Sequence, residues 1–545
     1  MKPKYITHKT LAVLIITLSL QGCEKDFLDR QPLDRISSSS VFTDKALTEA
    51  YLYQSYHTLN VGYSMYGEVW GDNGIYMLSN LTDEARNKSS WVSSETTIVP
   101  GLIKPTDNPL DIWAKSYMSI RIANNIILNL KDAPFEDSYK NRITSEARFI
   151  RASLYFYLAR CYGGVPLITE PQDIEDQSGM LVARTPQQEV YAFIDKELEE
   201  IGGILPSAAN LPSDEYGRAT REAAWALNGR NLLYAKNYTK SAEYSKKVMD
   251  AYLFSLDDDY FALFQSHGGS PEVIFEILFN GVETGHSFDR YNILIPFHID
   301  YASQMNPTQE MVDAYEMENG LPITDPASGY NPDDPFTGRD PRLEATIFYN
   351  GSKFRGVTLD MVSPDGAQAP LRTGLSSITG YYIRKFLDEQ PIVPQWERSQ
   401  TSWKELRLGE VLLNYAEAKN EATGPDQSVY DAINSIRARA QMPALPSGLE
   451  KDAMKQRIIQ ERRIELAFEN FRWYDLIRWD MAVSVLNDKY FHGMRITRDD
   501  SGNLVYNPYL LDFTSKQVFQ SKNNLLPIPQ DEIEKNPNLT QNPGY

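Results

Sequence analysis

The residues best suited by type and spacing to do chemistry are aromatic rings set in polar loops. Trp91 lies in NKSSWVSSE, where no apolar pattern demands it, and Asp72 and Asn73 occupy a glycine-flanked turn upstream. Tyr291 follows Asp289 and Arg290, and Trp396 lies in PQWERSQ. Such a set suits sugar recognition: the apolar face of a sugar ring packs on a flat aromatic side chain, while hydroxyls need directional partners such as Asp, Asn and Arg. Each of these aromatics also fits an ordinary packing role, because large rings dominate cores too. Catalytic signatures are missing. The chain has no G-x-S-x-G, H-E-x-x-H, C-x-x-C or phosphate loop. Its six histidines show no ligand spacing, and Asp257-Asp258-Asp259 lacks the alternating ligands and glycine of an EF-hand loop, so it reads as a solvated turn.

The N-terminus carries a second kind of chemistry. Lys2, Lys4 and Lys9 precede an apolar stretch over 11–20 that is too short to span a bilayer. Leu20-Gln21-Gly22-Cys23 then matches a bacterial lipobox, in which the Cys23 thiol is lipidated and Cys23 becomes the new N-terminus. Residues 1–22 are therefore expected to be a lipoprotein signal peptide. No later stretch has eighteen consecutive apolar residues. The formal charge of −19 falls to −22 once the three leader lysines are removed. With no basic run, this balance argues against nucleic acid and anionic lipid as partners. The other cysteine, Cys161, sits in LYFYLARCYGG and reads as a buried, inert thiol.

The elements that must position these residues are mostly helical. Apolar periodicity predicts helices over 44–59, with Thr43 as N-cap, 110–130 and 142–162, the last stopped by Gly163-Gly164. Thr185-Pro186 opens a further helix that Gly202-Gly203 closes. Thr220 starts a helix pair with Asn237 in its turn, and Trp225, Gly229, Leu232, Tyr238 and Ala242 approximate the tetratricopeptide pattern without a regular 34-residue period. A closing set is expected over 403–421, 428–440 and 449–479. In the last, Ile464, Phe468 and Phe471 share one face, and Glu469 with Arg472 and Asp475 with Arg478 can pair along the solvated side. Between these sets, residues 257–402 are rich in Gly, Pro and Asp with short alternating runs; so long a loop region inside a compact domain is usually functional.

The closing stretch also carries a resemblance. Glu461-Arg462-Arg463-x-Glu465-Leu466-Ala467-Phe468-Glu469 followed by Arg472-Trp473-Tyr474-Asp475-Leu476 resembles the C-terminal motif of the SusD/RagB family, surface nutrient-binding lipoproteins of Bacteroidetes. So do residues 23–59, Ala147-Arg148-x-x-Arg151-Ala152 through Tyr162-Gly163-Gly164-Val165-Pro166-Leu167, residues 306–320, Gly338-Arg339-Asp340-Pro341-Arg342-Leu343, and the tail from Leu526-Pro527-Ile528-Pro529-Gln530 to Gln541-Asn542-Pro543-Gly544-Tyr545. The acid-rich residues after Cys23 resemble that family's signal for export to the outer face of the outer membrane. The resemblance implies a mainly α fold of tetratricopeptide-like helix pairs, with a loop-rich subdomain containing short β segments. It implies an N-terminal helical region over 23–256 and a C-terminal region over 257–545 that holds ligand-binding loops and closing helices. It further implies oligosaccharide capture for a SusC-like, TonB-dependent outer-membrane transporter, with no catalysis and no cofactor. Some relatives take up peptides. A surface glycoside hydrolase and a purely structural scaffold are the readings from other classes.

Overall fold

The computed structural model describes residues 41–61, 78–90, 94–173, 175–298, 301–390 and 395–545. Its helices of eight residues or more are α1 (Lys45–His57), α2 (Trp113–Asn129), α3 (Asp137–Tyr162), α4 (Gln187–Gly202), α5 (Arg221–Tyr234), α6 (Tyr238–Asp250), α7 (Leu408–Thr423), α8 (Gln427–Arg439), α9 (Lys451–Glu465) and α10 (Phe471–Arg478). Local chemistry sets many of their ends. The Thr220 side chain accepts from the Ala223 N–H and Asn237 accepts from Lys240, so each helix of the α5–α6 pair has its own cap. Gly163, at φ 75°, ends α3 where a side-chain-bearing residue would be strained. At α1 the cap is Asp44, which accepts from Leu47, and not Thr43.

The helices stack in sequence: α2 on α3, α3 on α4, α4 on α5, α5 on α6. Then α6 packs against α7, although 157 residues separate their facing ends in the chain. The chain leaves the stack after α6, builds the loop-rich half, and re-enters at α7. Strands in that half are short and pair in two-stranded antiparallel ribbons, among them Ala85–Asn87 with Met305–Pro307 and Val273–Ile277 with Trp403–Arg407. The fold is thus mainly α with a loop-rich part containing short β segments. One apolar core underlies the helices and a second underlies the loops. The stretch 457–479 feeds both: Ile458, Leu466, Trp473 and Leu476 enter the first, and Ile464, Ala467 and Phe468 the second.

Three expectations are corrected here. Residues 449–479 do not form one helix. The chain breaks after Glu465, places Phe468 (φ 63°) and Asn470 (φ 64°) in the left-handed region, and restarts at Phe471. Its charges are not solvated either. Arg472 pairs with Asp83, 389 residues away, at 2.9 Å and not with Glu469, while the Asp475–Arg478 pair (2.8 Å) forms but is buried. Finally, residues 403–407 form a strand, because Val273–Ile277 offers them an edge to pair with before α7 begins.

The turn at 466–470 has a clear consequence. It lets Glu465 and Glu469 converge on the Arg407 guanidinium, at 2.8 and 2.7 Å. Arg439 and Arg342 also reach Glu465, Arg342 and Arg437 share Glu461, and the fully buried Lys385 reaches Glu469 at 2.8 Å. Arg342 and Lys385 come from the loop-rich half; Arg439, Glu461 and Glu465 come from the closing helices, and Glu469 from the turn between two of them. Ions removed from water need such multiple partners, because each otherwise costs several kcal/mol to bury. Glu272 joins Arg407 (2.7 Å) and Arg439 (3.2 Å) to the strand Val273–Ile277, locking both halves together.

Candidate functional site

Two of the five ligand-contact candidates lie side by side. The short helix Phe288–Asn292 presents Tyr291, and three clamps draw it toward the chain at 396–401. His286 and Ser399 exchange backbone hydrogen bonds at 3.3 and 3.0 Å. The Glu397 N–H donates to Ser287 Oγ at 2.9 Å, and the Asp289 N–H donates to Ser399 Oγ at 3.3 Å. The result is a three-ring cluster. Trp396 lies 5.1 Å from Tyr291 and 5.7 Å from Tyr301, which are 5.4 Å from each other, all in edge-on packing. The Arg290 guanidinium sits over the Trp396 ring at 4.3 Å.

The roles within the cluster differ. Tyr291 is only 4% exposed and serves as a backing ring, whereas Trp396 and Tyr301 are half-buried. Tyr301 and Arg290 are not among the five candidates. In the sequence Arg290 only flanks Tyr291, whereas Tyr301, in HIDYAS, stands in a polar loop just as Trp396 does.

Polar groups frame the rings. The Ala85–Asn87 strand delivers Lys88 and Ser89 to this loop: Lys88 N–H donates to the Gln304 carbonyl at 3.0 Å, and Ser89 Oγ donates to Gln304 Oε1. Lys88 Nζ donates to the Ala302 and Gly374 carbonyls at 2.8 and 2.9 Å, and burial lowers it to about 8. Asp289 is buried and shifted upward by that burial, while its Oδ1 accepts from the Asp388 N–H at 2.8 Å. His286 is held well below its ordinary value by burial, with Nε2 against the Thr401 carbonyl at 3.0 Å, so it is a neutral structural histidine.

Trp91, two residues beyond Ser89, lies outside the described residues, as do Asp72, Asn73 and Cys23. The Asp257–Asp259 run has structural work: Asp259 caps the helix Tyr260–Gln265 and Asp257 accepts from Ser270. Cys161 is buried, 3.1 Å from the Tyr474 hydroxyl. Among the described residues no cluster of His, Cys, Asp and Glu could hold a metal ion, and no helix is long and apolar enough to cross a membrane. What the cluster can do chemically is stack and hydrogen-bond a polyol.

Comparison with known proteins agrees with this architecture. The SusD family model matches residues 271–545, and a model described as starch-binding, associating with the outer membrane, matches residues 26–233. The chain is 24% identical to SusD-like protein P2 of Formosa agariphila over 98% of this chain and 99% of that protein. It is 23% identical to the starch-binding protein SusD of Bacteroides thetaiotaomicron, with both chains covered in full. Among solved structures, a SusD-like carbohydrate-binding protein from Bacteroides fragilis superposes with a TM-score of 0.80 at 27% identity, covering 92% of this chain and all of that one. With half of its length matched by the family model and its helical stack and loop-rich half shared with solved relatives, the chain belongs to the SusD family.

Proposed function

We propose that this protein is a cell-surface lipoprotein that captures oligosaccharide and hands it to a SusC-like, TonB-dependent outer-membrane transporter. Cys23 in its lipobox is the anchor, and the acidic residues that follow direct the protein to the outer face of the membrane. The observation that carries the reading is the ring cluster of Trp396, Tyr301 and Tyr291 beneath Arg290, framed by Ser89 and Gln304. It supplies a stacking face and directional polar groups together, as sugar binding needs. Trp91 is proposed as a further ring at this site, because Ser89 is tied to Gln304, three residues from Tyr301. Asp72 and Asn73 are proposed to supply polar contacts. The helical region 23–256 serves as the docking scaffold and region 257–545 carries the ligand-binding loops, to which residues 72–91 of the first region add; the two family matches fall on either side of that division. Capture proceeds without cleavage and without a cofactor.

The test is calorimetric titration of the protein from residue 24 onward against plant, host and microbial oligosaccharides, with a reducing-sugar assay alongside. Saturable binding without new reducing ends is expected. Trp396→Ala should weaken it at least tenfold, or ~1.4 kcal/mol, the scale at which truncating a buried aromatic anchor becomes visible. New reducing ends would overturn capture without cleavage. Binding unmoved by both Trp396→Ala and Trp91→Ala would overturn the site. No binding across the panel would overturn the glycan reading and move the ligand toward peptides.

A further inference from the structure

We infer that a second, separate cavity is an accessory subsite for one uncharged sugar residue, reached by the distal end of a glycan whose other end lies on the Trp396 cluster. The inference rests on the capture reading above. The cavity, about 270 Å³, opens between the end of α1, the loop at 216–218 and the strand Val273–Ile277 with its following turn. Tyr53, Tyr56, Tyr216 and Phe275 form its walls, with the Tyr56 and Phe275 ring centroids 6.4 Å apart.

Two features make it more than a packing defect. First, of the four most exposed large aromatics among the described residues, Tyr53, Tyr216, Tyr252 and Phe513, two wall this one cavity, at 45% and 43% exposure. Ring faces left in water beside directional groups such as the Thr284 hydroxyl and His57 match what a sugar ring covers. Second, the charges at its wall are answered from inside the protein. Arg218 donates to Glu146 at 3.0 and 2.7 Å and to Glu215 at 3.1 Å. Glu276 accepts from the Tyr216 hydroxyl, from the Gly269 N–H at 3.1 Å and from Ser402 Oγ, with Lys404 4.0 Å away. A site with no unbalanced charge selects a neutral ring over a uronate or a sulfated sugar, whose charge would be desolvated without a partner.

The cavity and the ring cluster are joined by one piece of chain. Thr284 lines the cavity, His286 is paired to Ser399, and Trp396 precedes Ser399 by three residues. The Arg398 guanidinium meanwhile donates to the Gly281 carbonyl at 2.7 Å, holding the intervening turn in place. At ~3.3 Å per residue and ~5 Å across a strand pair, Thr284 and Trp396 are at most about 22 Å apart, within the reach of a short oligosaccharide.

The experiment is a length ladder. Malto-, cello- and laminari-oligosaccharides of two and seven residues are titrated by calorimetry into the wild type, Tyr53→Ala, Tyr53→Phe and Trp396→Ala. The Tyr53 hydroxyl receives one long bond, 3.4 Å from Arg218, whose guanidinium also lies 5.6 Å from the ring centroid, so Tyr53→Phe keeps the ring contact and should leave the melting temperature unchanged. The expected pattern is that Tyr53→Ala weakens the best-bound heptamer at least fivefold and leaves its dimer unchanged. Tyr53→Phe should behave as wild type, and Trp396→Ala should weaken both lengths. A heptamer bound equally by wild type and Tyr53→Ala, yet lost in Trp396→Ala, would overturn the subsite and leave capture standing. No binding of any ladder by the wild type would overturn capture of neutral glucans and the subsite with it.

Discussion

Glu465→Gln is the sharpest test of how the two halves are held together. Glu465 is fully buried and receives Arg439 at 2.6 Å and Arg407 at 2.8 Å on Oε1, and Arg342 at 3.0 Å on Oε2. The amide keeps the shape but removes the negative charge, leaving three buried guanidiniums to share the remaining acids. Removing one member of a buried ion pair typically costs 3–5 kcal/mol, because the partner stays behind uncompensated, and here three partners stay. A loss of about 3–5 kcal/mol at pH 7 is therefore expected. The pH dependence gives an independent check. Burial alone would raise the Glu465 carboxyl, but Arg439, Arg407 and Arg342 outweigh it and hold it well below the usual carboxylate range. A carboxylate lowered in the folded state contributes stability above its unfolded value of ~4.3, and that contribution is lost as pH falls. The gap between wild type and Glu465→Gln should therefore be widest near neutrality and narrow below pH ~4. The assay is urea unfolding followed by tryptophan fluorescence, with midpoints compared at matched slopes. A loss under ~1 kcal/mol at pH 7, or a gap that does not narrow in acid, would refute the argument.

Two further buried positions give predictions, the first of opposite sign. Glu84 is raised to about 7 by burial, which the neighbouring Ser79 hydroxyl offsets only in part. A carboxyl raised in the folded state costs stability progressively as pH climbs from ~4.5 to ~7, so Glu84→Gln should raise the melting temperature at pH 8 and not at pH 4. At ~1.36 kcal/mol per unit, the gain is bounded at about 3 kcal/mol, and equal melting curves at pH 8 would refute it. Gly409, at the start of α7, sits against the ion network: a Cβ there would collide with the Arg407 guanidinium and lie 2.9 Å from Glu272 Oε1 and 3.0 Å from Glu465 Oε1. Gly409→Ala should cost ~1–3 kcal/mol in the same urea assay, and a variant as stable as wild type would show that the network can move aside.

Local signals in the chain mark most helix ends correctly, but one of the two expected ion pairs and the solvation of both incorrectly, for one reason. Caps and stops are contacts among neighbours: Thr220 with Ala223, Asn237 with Lys240, and the left-handed Gly163 are decided within a few residues. Helical spacing likewise brought Asp475 and Arg478 together. What spacing does not carry is which face is wet. Arg472 and Glu469 look like a surface pair three apart, yet Arg472 turns to Asp83 and Glu469 to Arg407 and Lys385, all brought in by long-range folding. The candidate site followed the same division. Loop placement picked out Tyr291 and Trp396, 105 positions apart, but only the clamps between 286–289 and 397–399 make them one cluster.

The closing stretch that carries the family resemblance is therefore architectural. Glu461 holds Arg342 and Arg437, Glu465 holds Arg342, Arg407 and Arg439, Glu469 holds Lys385 and Arg407, and Arg472 holds Asp83. Two of those partners lead toward the ring cluster by short paths. Asp83 precedes by two residues the strand that pairs with 305–307 and delivers Lys88 and Ser89. Lys385 precedes by three residues Asp388, whose N–H donates to Asp289 beside Arg290. Buried charge makes such anchoring specific, because a guanidinium withdrawn from water tolerates only a geometry that returns its hydrogen bonds. The loops carrying the half-buried Trp396 and Tyr301 are thus seated beside the second apolar core and tied by these two short paths to the ion network next to it.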